Sequence, residues 1–233
     1  MSSDSTPSII ISKLNKVFSS DAEQLQVISD LDLTIEKSTK IIISGESGCG
    51  KSTLLHMISG FESVTSGSIL IDNQEITTKN EVQLSAFRKN KIGFIFQFHY
   101  LLNDFNALEN IALPSIMSGC KKSVALSKAR ELLDSVGLIN RASHFPTQLS
   151  GGERQRIAVA RALINDPSYI LADEPTGNLD EKNSIMVTEL LFSLVEKYSK
   201  TLILVTHDLS LSKEADCFYI LESSKLVKKG EKN

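Results

Sequence analysis

The chain has 233 residues and 41% apolar content, enough for one large α/β domain with its own core, and its three scattered cysteines, Cys49, Cys120 and Cys217, suit a reducing compartment rather than a disulfide framework or a thiolate zinc site. Net charge is −3, with 25 basic and 28 acidic residues and no basic patch interleaved with aromatics, which argues against a nucleic-acid partner. No apolar run approaches the roughly 20 residues that cross a bilayer, and the start has no leader pattern, so a membrane role is expected to run through a partner.

By composition the first seven residues read as a flexible tail and the Lys/Glu-rich end as disordered, leaving one domain over 8–228. Apolar alternation bounded by polar turns predicts strands over 8–14 and 25–35, and a third strand over 40–44. Leu54, Leu55 and Ile58 then recur at helical spacing, and Gly60 is placed to cap that helix. Further strands are predicted at 68–71, 92–96, 168–172, 201–206 and 217–221, with helices between most of them. The unbroken apolar run over 202–205 marks a buried parallel strand. Two helical stretches follow one another over 107–137 without a strand between them, which predicts a helical subdomain, placed at about 98–150.

The run GESGCGKS over 45–52 fits the phosphate-binding loop pattern in full and stands between an apolar strand and a helix, where that chemistry requires it. Its glycines, Gly45, Gly48 and Gly50, let the backbone curl so that loop N–H groups, those of Glu46, Ser47 and Cys49 included, face the β- and γ-phosphates at a positive helix end. Lys51 supplies a mobile point charge, the Ser52 hydroxyl suits Mg²⁺, and Thr53 is placed for the α-phosphate region. This loop alone leaves a nucleotide kinase, a GTPase and a motor open.

Two later segments narrow the choice. An apolar strand ends in Asp173 and Glu174; the first carboxylate can reach Mg²⁺ through water, and the second can polarise the water that attacks a γ-phosphate. Taken alone, the pair could be two solvated turn residues. In LSGGERQR, over 149–156, Ser150 and Glu153 form a capping box before a long helix, and Gly151 and Gly152 permit close backbone approach, which makes a second anion-ready helix start.

Together the phosphate loop, LSGGERQR, LADEP over 171–175 and GNLD over 177–180 resemble the ABC ATPase family across nearly the whole chain. The resemblance implies a P-loop α/β domain with an antiparallel β subdomain and a helical subdomain. It implies ATP and Mg²⁺ as ligands, and a head-to-tail homodimer in which Ser150, Gly151 and Gly152 of one copy close on the ATP held by the other. Carried over by position, Phe18 is similar to the aromatic that stacks on adenine, and Gln97 to the glutamine that senses Mg²⁺ and water. His207 resembles the switch histidine at the γ-phosphate, and Asp180 the residue that connects the two sites. His56, His99 and His144 have no such context.

Within the family, QFHYLLNDFNALEN over 97–110 and RASH over 141–144 resemble the lipoprotein-releasing ATPases of the group that also holds macrolide-exporter and cell-division ATPases. The lipoprotein-releasing type's sequence, QFHHLLPDFTALEN, differs at Tyr100, Asn103 and Asn106, and Val64 stands where the family usually has proline. The resemblance implies integral membrane subunits as partners, a place on the cytoplasmic face of the inner membrane, and lipoproteins as cargo, with a macrolide or peptide exporter or a cell-division complex as the alternative. Phe98, Tyr100, Leu101, Leu102 and Phe105 crowd a segment expected to be loop. They either pack into the helical subdomain, or some of them stay exposed and form a docking groove for a partner's helix, with Tyr100 and Leu101 placed in that contact.

Overall fold

The computed structural model describes residues 8–19 and 24–231; the tail read over 1–7 lies outside the described residues. Strand β1 (Ile9–Ser19) runs past its expected end because a bulge interrupts its alternation, with Lys13 at φ 48° and a register shift between Ile11 and Leu14. β2 (Gln24–Ile35) pairs with it antiparallel, and the alternation of Leu31, Leu33 and Ile35 buries one face. β3 (Lys40–Ser44) is buried along its whole length, and α1 (Lys51–Ser59) ends on Gly60 in the left-handed conformation at φ 69°. β4 (Ser66–Ile71) and β5 (Gln74–Glu75) follow, then α2 (Glu81–Lys91) and β6 (Ile92–Ile95).

The two helical stretches form α3 (Ala107–Met117) and α4 (Lys122–Ser135). After them come α5 (Gly151–Leu163), β7 (Tyr169–Asp173) and α6 (Glu181–Lys197). β8 (Thr201–Thr206), β9 (Cys217–Glu222) and β10 (Lys225–Glu231) complete the chain. The Lys/Glu-rich end is therefore ordered as β10 as far as Glu231, contrary to its composition. Ser223 and Ser224, at φ 48° and 64°, turn β9 back on itself as a two-residue hairpin.

Two compact units result, one through Arg88 and from Lys200 onward, the other Lys89–Ser199. In the first, an antiparallel sheet has the order β2-β1-β4-β5, and a second set runs β10-β9-β3-β8, with β3 parallel to both β9 and β8. In the second unit β6 and β7 pair in parallel, α3 and α4 pack on each other and on α5, and α5 packs on α6.

Candidate nucleotide site

In the first unit the sheet delivers the phosphate loop. β3 ends at Ser44, and Gly50 stands at the N-cap of α1 with φ 108°, where an added Cβ would lie 2.5 Å from Val27 Cγ1. Only glycine fits there. The helix start has no side-chain cap and no acidic residue in its first turn, and Glu46, Ser47 and Gly48 are exposed with Cys49 half-buried. Lys51 is buried, and its ammonium donates to the Gly45 carbonyl at 2.8 Å and the Glu46 carbonyl at 2.9 Å, so the charge sits inside the curl of the loop. Ser52 is exposed and Thr53 half-buried on the same first turn. A curled backbone, a helix start and one cation make a cradle whose chemistry fits a polyphosphate.

His207 reaches this region through sheet register. Ser44 stands opposite Thr206, so Gly45 and His207 leave the parallel sheet at the same end, and His207 is exposed. Asp208 is engaged in capping a short 3-10 turn, Leu209–Glu214, by accepting from the Ser210 N–H at 2.8 Å. Phe18 is 41% exposed, so it is not a core residue. Gly50 packs on Val27, and the preceding residue, Gln26, stands opposite Val17, which brings the Phe18 end of β1 to the same edge as the loop.

In the second unit Ile95 stands opposite Ala172, so Gln97 and Glu174, each two places further on, leave β6 and β7 side by side. The Gln97 carbonyl accepts from Asn178 Nδ2 at 3.3 Å, and a Cβ on Gly177 would come within 2.9 Å of Gln97 Nε2. Asp173 and Glu174 are half-buried, and Glu174 has φ 44°. A non-glycine residue there carries about 1–3 kcal/mol of strain, of the kind that collects at working sites.

The expected capping box on α5 is present. Ser150 Oγ accepts from the Glu153 N–H at 3.2 Å, and Glu153 returns the bond to the Ser150 N–H at 2.8 Å. Arg141 Nε holds the same carboxylate at 3.0 Å. The Ser150 N–H, with smaller help from the Ser150 side chain and Arg141, keeps the Glu153 carboxyl below its ordinary range. A Cβ on Gly152 would meet Asn183 Oδ1 at 2.4 Å, so glycine admits Asn183 against the helix start. Asn183 is in turn held by Asp180, which accepts from its backbone N–H at 3.0 Å and its side chain at 2.6 Å, bonds that also hold the Asp180 carboxyl below its usual range.

The apolar segment divides between its two readings. Phe98, Tyr100 and Leu102 are exposed and Phe105 is half-buried, but Leu101 is only 8% exposed, which corrects its expected place in a docking contact. Three residues that the sequence reading passed over hold this unit's loops. Arg161 donates to the His99 and Tyr100 carbonyls at 2.7 Å, buried Gln155 donates to the Phe96 carbonyl at 3.1 Å, and Asn183 sits under Gly152. The available signal was a polar residue at a core-facing helical position, as at Gln155.

The ABC transporter family model matches residues 28–177. The lipoprotein-releasing system ATP-binding protein LolD of Treponema pallidum is 47% identical over 222 residues, which is 95% of this chain and 98% of that protein. LolD of Treponema denticola is 50% identical over 218 residues, 94% of this chain and 96% of its own length. Among solved structures, a dimeric post-hydrolysis state of the ATP-binding cassette MJ0796 bound to ADP and Pi superposes with a TM-score of 0.88 at 33% identity, covering 97% of this chain and 99% of that one.

Proposed function

The chain belongs to the ABC transporter family as an ATP-hydrolysing subunit, and on that premise we propose that it drives the release of lipoproteins from a membrane. The observation that carries this reading is the 47% and 50% identity to two lipoprotein-releasing ATP-binding proteins over 95% and 94% of the chain. ATP is taken by the loop of residues 45–50 with Lys51 and Thr53, and Phe18 stacks on its base. Mg²⁺, when bound, neutralises charge on the transferred phosphate. Ser52, Asp173 and Gln97 are the residues that would hold it, directly or through water, in keeping with a cation that takes few protein oxygens and relies on the substrate's own. Glu174 orients and polarises the attacking water, a role typically worth about 10²- to 10⁴-fold. His207 contacts the γ-phosphate.

A second copy of this chain completes the site. Ser150, Gly151 and Gly152 of that copy close on the nucleotide, and Asp180 joins the two sites. No helix among the described residues is long and apolar enough to cross a membrane. By the likeness to the lipoprotein-releasing ATP-binding proteins, attachment comes through integral membrane subunits, on the cytoplasmic face of the inner membrane, with exposed Phe98, Tyr100 and Leu102 as the docking patch.

Two measurements test this. The membrane subunits that co-purify with the chain, reconstituted with it in vesicles, should release a labelled lipoprotein when ATP is added. ATP-dependent export of a drug or peptide without lipoprotein release would move the chain to the exporter branch of the group. Tyr100→Glu should fold normally, bind ATP and lose the membrane subunits, whereas Leu101→Glu should lower the melting temperature because it places a charge in the core. A Tyr100→Glu variant that keeps its partners and supports transport would rule out the docking patch.

A further inference from the structure

Lys16 lies on β1 two residues before Phe18, and the sequence reading gave it no role. Only 6% of it is exposed. A buried ammonium is costly unless its donors are used. One hydrogen bond goes to Glu62 Oε1 at 2.7 Å and another to the Ser63 carbonyl at 2.8 Å, both in the loop that follows α1. The Lys16 hydrogen bond keeps the Glu62 carboxyl below its ordinary range. With two partners fixed, the ammonium lies 4.5 Å from the centroid of the Phe18 ring, well inside the range of a cation–π contact.

A plain staple between β1 and the α1 loop would account for the ion pair. It leaves the ring unexplained, since a large aromatic that is 41% exposed gains little from burial at that position. The cation is anchored independently of the ring, so it fixes the ring's place rather than following it. The same anchor stands in the loop that follows the helix begun at the phosphate loop, which ties the ring's position to the far end of that helix.

We propose that Lys16 is a positioning residue for the base of the nucleotide: anchored by Glu62 and the Ser63 carbonyl, it holds the Phe18 ring for stacking on the adenine of ATP. This rests on the reading of Phe18 as the stacking residue. Lys16 then contributes affinity that depends on the base and not on the phosphates. Removing the contact should cost about three- to tenfold in ATP affinity, the range of a partly desolvated cation–π pair.

The experiment measures binding of ATP and of inorganic tripolyphosphate, which has no base, to the full chain and its variants. Lys16→Met should weaken ATP about three- to tenfold and leave tripolyphosphate unchanged, and Lys16→Arg, which keeps a cation over the ring, should restore ATP binding. In a Phe18→Ala background, Lys16→Met should cause no further loss. If Lys16→Met leaves Glu62 unpaired and the protein unstable, Lys16→Met with Glu62→Gln removes the orphaned charge and serves in its place. Equal weakening of both ligands, or the same loss with and without the Phe18 ring, would reduce Lys16 to a staple and overturn the proposal. Phe18→Ala with undiminished ATP affinity would overturn the stacking reading and the proposal with it. Loss in Phe18→Ala but none in Lys16→Met would overturn the proposal alone.

Discussion

Two helix starts in this molecule meet the same problem, four backbone N–H groups without intrahelical partners, and solve it in opposite ways. α1 begins at Gly50, with no side-chain cap and no acid in its first turn. α5 begins at Ser150, whose reciprocal bonds with Glu153 close the end on itself. The first end, with no side-chain cap across it, is open to an anion, with Lys51 held inside the loop to help. The second is complete as folded, but not blocked: the Ser150 oxygen accepts from Glu153 and keeps its own proton to donate, and the amides of Gly151 and Gly152 have no place in the helical ladder. An end of the first kind captures a phosphate. An end of the second kind can fold, stay soluble and wait for a phosphate already held elsewhere.

The harshest way to break the contrast is at α1. Lys51→Ala removes the cation that donates to the loop carbonyls of Gly45 and Glu46, and binding of a labelled ATP analogue should fall below detection, with turnover lost. Wild-type affinity in that variant would mean that the uncapped end is not the capture site. Next in size is Glu174→Gln, which should keep ATP and lose about 10²- to 10⁴-fold in hydrolysis. On the proposed closure of Ser150, Gly151 and Gly152 over a second copy's nucleotide, stalled hydrolysis should leave both helix starts engaged, and gel filtration with ATP and Mg²⁺ should show an accumulated dimer. A monomer that hydrolyses normally would refute the role of Glu174.

Both helix starts were legible in the sequence because each is local: GESGCGKS needs only its own glycines and flanking elements, and Ser150 with Glu153 needs only a three-residue spacing. What was not legible depends on distant or unusual backbone. β1 was cut short because the bulge at Lys13 hides the alternation that continues to Phe18. β5 and β10 were missed because their hairpins turn through Asp72 and Asn73, and through Ser223 and Ser224, all at positive φ, where Asn-Gly would have been the recognisable signal. The division of the 98–105 segment into exposed Tyr100 and buried Leu101 could not be read from periodicity, because Arg161 on α5, far along the chain, sets the course of that backbone. The strain at Glu174 likewise has no sequence signature, since a residue before proline is expected to be extended and nothing local marks the φ of 44° there.

The smallest expected effect probes the self-capped end directly, through pH. Folding lowers the Glu153 pKa from its ordinary 4.5, chiefly through the Ser150 N–H, so the ionised carboxylate is favoured in the folded state. The stability it contributes is fully present above the unfolded value and is lost as pH falls through the lower, folded one. Glu153→Gln keeps an oxygen for the Ser150 N–H but has no charge to titrate. At pH 7 it should unfold at slightly lower urea than the parent, by less than about 1 kcal/mol because water reaches the pair from its Arg141 side, which is 47% exposed. The deficit should close as the pH is taken below the folded value, where the parent's carboxyl is neutral as well. Arg141→Gln should show a smaller deficit of the same kind, since Arg141 is the lesser of the groups that hold the carboxylate. A deficit for Glu153→Gln that is the same at pH 7 and in acid would mean that the cap works by geometry alone. The contrast between the two helix starts would then rest on hydrogen bonds and not on charge.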